Sequence, residues 1–246
     1  MERLIMQRKN NCPNTVVILG SKPNAALPDV AASVVLGANA SIEIGLNYRE
    51  HYNSYLISFV GSGELKNKIY VQKAIEKSEP DEVIVHGEKM KDPRDFIIKE
   101  LGLSNAHVHV MSFNERYKLM AERVGFFAPL VGMKTMDINS IKKALKDYFG
   151  PRSMKWSYCS TGMYSIIYAM KRFSEADKYI SAGIGLQGGG HYYGTGEMRT
   201  GRAKVDRRVM KCWKSNQRSN LYTTDEAMSQ LGDVPLWTGS TFFYKD

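Results

Sequence analysis

Ser160-Thr161-Gly162-Met163-Tyr164-Ser165-Ile166-Ile167-Tyr168-Ala169-Met170, then Lys178-Tyr179-Ile180-Ser181-Ala182-Gly183-Ile184, then the glycine-rich Gly185-Leu186-Gln187-Gly188-Gly189-Gly190-His191-Tyr192-Tyr193-Gly194, hold the fold in outline. The first segment opens on a small polar turn. Behind it Met163, Ile166, Ile167 and Met170 recur at the 3.6-residue period of a helix. Lys178 to Ile184 alternates and reads as a strand, and after Thr200-Gly201-Arg202 the chain resumes as a basic helix. Turn, helix, strand, glycine loop, helix is the layout of an α/β ligand site. Backbone N–H groups at a helix start hold anions there, and ligands sit off the carboxyl ends of the strands.

Working outward, the same alternation fills the chain. Thr15-Val16-Val17-Ile18-Leu19 is a continuous apolar, β-branched run of the kind a buried parallel strand needs. Further strands are expected at Ser33–Gly37, Ser54–Val60, Glu82–His86 and Ala106–Met111. Helices are expected over Glu64–Lys77 (Leu65, Ile69 and Ala74 inward), from Pro93, and over Phe113–Arg123, Ile138–Phe149, Ala203–Trp213 and Thr224–Leu231. Val124 to Met133 is apolar but carries Gly and Pro, so it reads as a lid, a membrane-touching loop or core packing. No internal repeat or low-complexity linker interrupts the series. Strands separated by helices at this spacing predict α/β class: a single-domain Rossmann-like, doubly wound, mostly parallel sheet over residues 1–246, behind a polar leader at 1–13.

Composition sets bounds. With 246 residues, 43% hydrophobic and 24% charged, the chain has the profile of a soluble globular domain. It lacks an apolar run of membrane-spanning length, and Met1 to Asn11 lacks the apolar core of a signal peptide. Cys12, Cys159 and Cys212 are too few and too scattered for a disulfide framework or a zinc site. These features point to the cytosol. The net charge of +9 points to an anionic partner: nucleic acid, nucleotide sugar or anionic lipid. His107 and His109 share one face of a strand and could bind a metal; without a third ligand they read as partly buried or edge histidines instead.

The turns after the first two strands carry further chemistry. Gly20-Ser21-Lys22-Pro23-Asn24 suits a phosphate or nucleotide loop, although neither GxGxxG nor GxxxxGK[ST] is present, and an unliganded strand-to-helix turn is the alternative. Asn39 follows the second strand, and its carboxamide both donates and accepts. Together with Ser160-Thr161-Gly162-Met163-Tyr164, Ala182-Gly183-Ile184 and Gly201-Arg202, these turns form an ordered series. It resembles the motif series of bacterial family 42 sialyltransferases and of related transferases that use other CMP-activated acidic sugars, such as Kdo.

The resemblance implies a GT-A-like variant of the fold and an inverting transferase. Such an enzyme moves an acidic sugar from a CMP donor to a glycan or lipid-linked acceptor. It implies donor contacts at Gly20, Ser21, Asn24, Asn39, Ser160, Thr161 and Gly162, with Ser21 standing where the family has Asn. No metal or separate cofactor is implied, because tyrosine hydroxyls and basic groups can meet the leaving phosphate. The active-site loop would be 185–202, with Tyr192 or Tyr193 facing the phosphate.

Two positions depart from the family pattern. Its general-base His is Arg202 here, and the Asp of Gly-Ile-Asp is Gly185. An Arg stays protonated and binds phosphate or carboxylate instead. His191, among Gly188–Gly190 and the two tyrosines, is the imidazole of that loop, so it is the expected base; an exposed His on a plain glycine loop is the alternative.

Lys204, Arg207, Arg208 and Lys211 form one face of the last long helix, opposite Val205, Val209, Cys212 and Trp213. With Arg202, that face is expected to hold phosphate or an anionic acceptor, or to rest against an anionic membrane surface at the inner face of a membrane; a solvated helix face is the alternative. The competing reading is a non-catalytic nucleotide- or nucleic-acid-binding protein on the same fold, its charge serving a phosphate backbone.

Overall fold

The structure, a computed structural model, describes residues 15–87, 89–125, 137–139, 141–142, 159–187, 191 and 200–244. Its centre is the strand β1 (Thr15–Leu19), fully buried along its length. Successive side chains of a strand point to opposite faces, so β1 supplies two cores at once. Val16 and Ile18 join one cluster, Val17 and Leu19 the other. A strand apolar on both faces belongs in a parallel sheet covered by helices on both sides.

Among the described residues that sheet has seven strands. Besides β1 they are β3 (Val34–Ala38), β4 (Tyr55–Gly61), β5 (Glu82–His86), β6 (His107–Met111), β7 (Lys178–Ala182) and β8 (Leu221–Thr223). Their order is β6-β5-β4-β3-β1-β7-β8, and every pairing is parallel. A two-stranded antiparallel ribbon, β2 (Ala26–Pro28) with β9 (Thr241–Phe243), lies apart from it.

On one face sit α5 (Phe113–Val124), α6 (Thr161–Arg172), α7 (Thr200–Cys212) and α8 (Glu226–Gly232), through residues such as Leu119, Ile166, Val209 and Met228. On the other sit α1 (Gly45–Tyr52), α2 (Ser62–Asn67) and α3 (Ile69–Ser78), through Tyr48, Leu65, Val71 and Ile75. The short α4 (Pro93–Asp95) continues as a π turn over Phe96–Glu100 and buries Ile97 on that second face. The expected α/β doubly wound architecture is therefore present. The strand order turns around β1: the chain goes outward through β3 to β6 on one side and returns to β7 and β8 on the other.

Local differences from the sequence reading have physical causes. The single helix expected over 64–77 is broken at Lys68, which is extended (φ −123°, ψ 99°). Gln72 Nε2 donates to the Leu65 carbonyl at 2.7 Å, satisfying an acceptor that the break releases. The break re-aims the second segment, so Val71, Ala74 and Ile75 face inward and Ile69 is 64% exposed, not inward. The helix α7 begins at Thr200, so residues 200–202 are helical and not part of the preceding loop. The helix after the β8 strand begins at Glu226 because Asp225 caps it, its Oδ1 accepting from Met228 N at 2.8 Å. The polar segment 39–44 forms a 3-10 turn leading into α1, and both lacked an amphipathic signature. The expected helix over 138–149 and the apolar segment 124–133 lie mostly outside the described residues, as does Cys12. Cys159 and Cys212 are free.

Candidate functional site

In an open parallel sheet, the point where strand order reverses leaves a crevice at the strand carboxyl ends. Here that point lies between β1 and β7, and two glycines set its width. Gly20 N donates to Ala182 O at 2.7 Å, and Lys22 N to Gly183 O at 3.0 Å. A Cβ on Gly20 would lie 2.3 Å from Gly183 O; one on Gly183, whose φ is +68°, would lie 2.6 Å from Gly20 O. Only glycines let these two backbones meet so closely. The contact divides the carboxyl edge of the sheet into two sides.

On the β3–β5 side the polar turns are locked by side-chain bonds. Asn39 is buried with φ +57°, a conformation that Asn tolerates, and its Oδ1 accepts from Gly61 N at 3.3 Å. Ser160 is the N-cap of α6, its Oγ accepting from Met163 N at 3.1 Å. Its own N–H donates to Asp206 Oδ1 at 2.8 Å. Thr161 Oγ1 lies 3.3 Å from Nε2 of the buried His86 at the end of β5. The His86 ring stacks on Phe59, with centroids 5.2 Å apart, and meets Tyr164 at 5.6 Å. Gly162 faces Ile184, whose side chain would touch any Cβ placed there at 3.1 Å.

The electrostatics of this side are cationic. Burial, then the charges of Arg116 and Arg202, lower His86 to about 3, so it is neutral at physiological pH. Arg116 is itself buried. Burial raises the Asp206 carboxyl to about 6, against the lowering effect of its Ser160 bonds and of Arg202. Burial also raises Cys159, beside Asp206.

His191 reaches back to the switch point, where its Nδ1 is hydrogen-bonded to Ser21 Oγ. Desolvation lowers its pKa, Glu64 raises it, and Arg202 and Lys68 lower it further; the net direction is down. A run of contacts thus links Asn39, Gly61, His86, Thr161, Ser160 and Asp206, with Arg202 within electrostatic reach of His86, Asp206 and His191. Tyr192, Tyr193 and Gly188–Gly190 lie outside the described residues.

Asn24 is placed differently. It stands on the β7–β8 side, with φ +53°, on the wall of a cavity of about 360 Å³ that Asn39, Ser160, Thr161 and Gly162 do not line. Lys22 bridges to the buried Asp225 across that cavity. A Cβ at Gly185 would lie 3.8 Å from Asp225 Oδ2, so a carboxylate from a distant loop stands beside the position where the family pattern has an Asp.

His86, Arg116, Asp206 and Asp225 were not singled out from the sequence. Asp206 carried a signal: it lies three, four and seven residues before Val209, Met210 and Trp213, so it was an acid on the buried face of a basic helix. His86 ended a buried strand. Lys22 and Asp225 are 203 residues apart, and nothing local pairs them.

Of the basic face on α7, Arg207 donates to the Leu186 carbonyl at 3.1 Å, while Lys204 and Lys211 are exposed. His107 and His109 pair with Glu82 (3.7 Å) and Glu115 (3.3 Å) on the edge strand, and no group of metal-ligating side chains occurs among the described residues. No helix among the described residues is long and apolar enough to cross a membrane.

Fold and site together define a parallel α/β protein with a polar cleft at its topological switch point. Comparison with protein-family models, with curated proteins and with solved structures finds no match.

Proposed function

We propose that the protein is an inverting glycosyltransferase that moves an acidic sugar of the sialic acid or Kdo type from a CMP donor to a glycan or lipid-linked acceptor. The observation that carries this reading is the gathering of the polar turns around Asn39 and Ser160–Gly162 beside the cation Arg202, at the edge of the switch-point crevice that holds Ser21 and His191. A site for a nucleotide needs amide groups to read base and ribose, helix N–H groups for phosphate, and a cation. Asn39, the start of α6 and Arg202 supply them.

The chemistry is a single displacement. His191 is neutral near pH 7 because its pKa is lowered. When its Nδ1–H donates to Ser21 Oγ, the lone pair of Nε2 is left to take the proton of the acceptor hydroxyl. The acceptor oxygen then bonds to the anomeric carbon as the bond to the CMP phosphate breaks. The electron pair leaves on that phosphate, where Arg202 and the N-terminal amides of α6 meet the charge. Exposed Lys204 and Lys211 extend the cationic surface toward anionic groups of an acceptor beyond its reacting sugar, or toward a membrane.

The test is release of CMP from CMP-sialic acid and CMP-Kdo over a panel of glycan acceptors, with UDP-sugars as controls. Turnover of a CMP donor alone is expected. Failure to turn over or bind any CMP donor, together with steeply salt-dependent binding to RNA or DNA, would replace this reading with that of a nucleic-acid-binding protein.

A further inference from the structure

The cavity on the β7–β8 side of the Gly20–Gly183 contact is not used by the donor chemistry above. Its volume is about 360 Å³, within the range of small-molecule pockets (about 300–1,000 Å³). Lys22 is already engaged by Asp225, whose side chain is 4% exposed, and Glu226 adds a second carboxylate to the lining. The lining charge is therefore net negative, and a phosphate is repelled.

Thr224 is engaged too, its Oγ1 donating to the Ala26 carbonyl at 2.6 Å, and the remaining polar side chains are carboxamides. Asn24, Gln187 and Gln230 line the cavity, and the side-chain amide of none of the three is hydrogen-bonded among the described residues. Each offers two donors and an acceptor. At one wall Phe243 is 62% exposed, a flat apolar face left open beside polar groups. Amides and a carboxylate that bond to hydroxyls, with an aromatic ring for the C–H face of a pyranose, are the groups a neutral sugar needs.

We infer that this cavity binds a neutral, hydroxyl-rich sugar residue, the acceptor end of a glycan. As the acceptor subsite it rests on the transferase reading; as a sugar site it does not. Lys22 and Gly183 belong both to this cavity and to the switch turn that carries Ser21, the hydrogen-bond partner of His191, so a sugar held here adjoins that turn. The Asp225 carboxylate is fixed from both ends, with Oδ1 capping α8 and Oδ2 facing Lys22 and the cavity.

The experiment is a titration of the full ¹⁵N-labelled chain with methyl β-galactoside, methyl β-glucoside, inorganic phosphate and CMP in turn, following backbone amide shifts. At millimolar concentrations a glycoside is expected to move the amides of Gly183 and Thr224–Ala227, whereas phosphate and CMP leave them in place. Phe243→Ala and Gln230→Ala alter side chains at the cavity rim, outside the two cores, so both variants fold; each is expected to weaken glycoside binding by roughly ten-fold, about 1.4 kcal/mol.

If CMP moves the Ser160–Met163 amides but no glycoside moves the cavity, this inference fails and the transferase reading stands. If CMP itself moves the cavity amides, the cavity belongs to the nucleotide and the inference is overturned. If a glycoside binds there and CMP binds nowhere, the sugar site stands and the transferase reading falls.

Discussion

The two sides of the Gly20–Gly183 contact share a sheet edge and differ in almost everything else. On the β3–β5 side the polar groups are buried or half-buried and locked to one another: Asn39 to Gly61, Ser160 to Asp206, Thr161 to His86. Arg116 and Arg202 make it cationic enough to help keep His86 neutral. On the β7–β8 side one ion pair is fixed, and the rim of amides and Phe243 is open. The first side is organised before any ligand arrives, as a site for a charged group must be if it is not to reorganise during reaction. The second leaves its hydrogen-bonding groups for a ligand to satisfy. One edge of one sheet can thus hold two chemically unlike partners without mixing them.

The largest expected effect comes from the group that stands between the sides. His191→Gln is expected to cut turnover about a thousand-fold while leaving CMP affinity within about three-fold, measured by steady-state kinetics and calorimetry. The acid limb of the wild-type pH–rate profile should fall below the ordinary imidazole range, because the His191 pKa is lowered. A limb above that range would remove His191 from the role.

Next is the divider itself. Gly20→Ala places a Cβ 2.3 Å from the Gly183 carbonyl, which is backbone and cannot turn aside. A loss of about 3 kcal/mol in unfolding free energy is expected in denaturant titrations.

Asp206 sharpens the comparison through pH. Its folded pKa is raised to about 6 from 3.8, so the fold favours the protonated form. That contribution is whole below the unfolded value and is lost as pH rises through about 6. Relative to Asp206→Asn, the wild type is expected to lose on the order of 3 kcal/mol between about pH 4 and pH 7. His86 acts in the opposite direction: its lowered pKa makes protonation costly as pH falls. It is common to both proteins and cancels in the difference. A pH-independent difference would show that Asp206 is not desolvated in the fold.

The smallest effect is local. Ser160→Ala removes the cap of α6 and is expected to cost about 1 kcal/mol by thermal or chemical unfolding, with weaker CMP binding.

The fold was legible because its signals are local. Val16–Leu19 and Val83–Val85 are apolar runs within their strands, and Met163 to Met170 repeats at helical period. Pieces whose partners are distant were not: β2 and β9 pair across more than two hundred residues, and each is three residues long. The same rule divides the site. Gly20, Asn39 and Ser160–Gly162 announce themselves as turns at strand and helix ends. The roles of His86, Arg116 and Asp225 depend on what the sheet brings beside them, and no spacing in the chain records that.

The proposed function requires that the cationic side of the switch point hold a cytidine nucleotide. It is tested most directly by titrating the protein with CMP, UMP, GMP and AMP at fixed moderate salt, in wild type and in Asn39→Ala. Selective binding of CMP, weakened in the variant, is the predicted result. Equal affinity for all four nucleotides, or binding indifferent to Asn39, would contradict it.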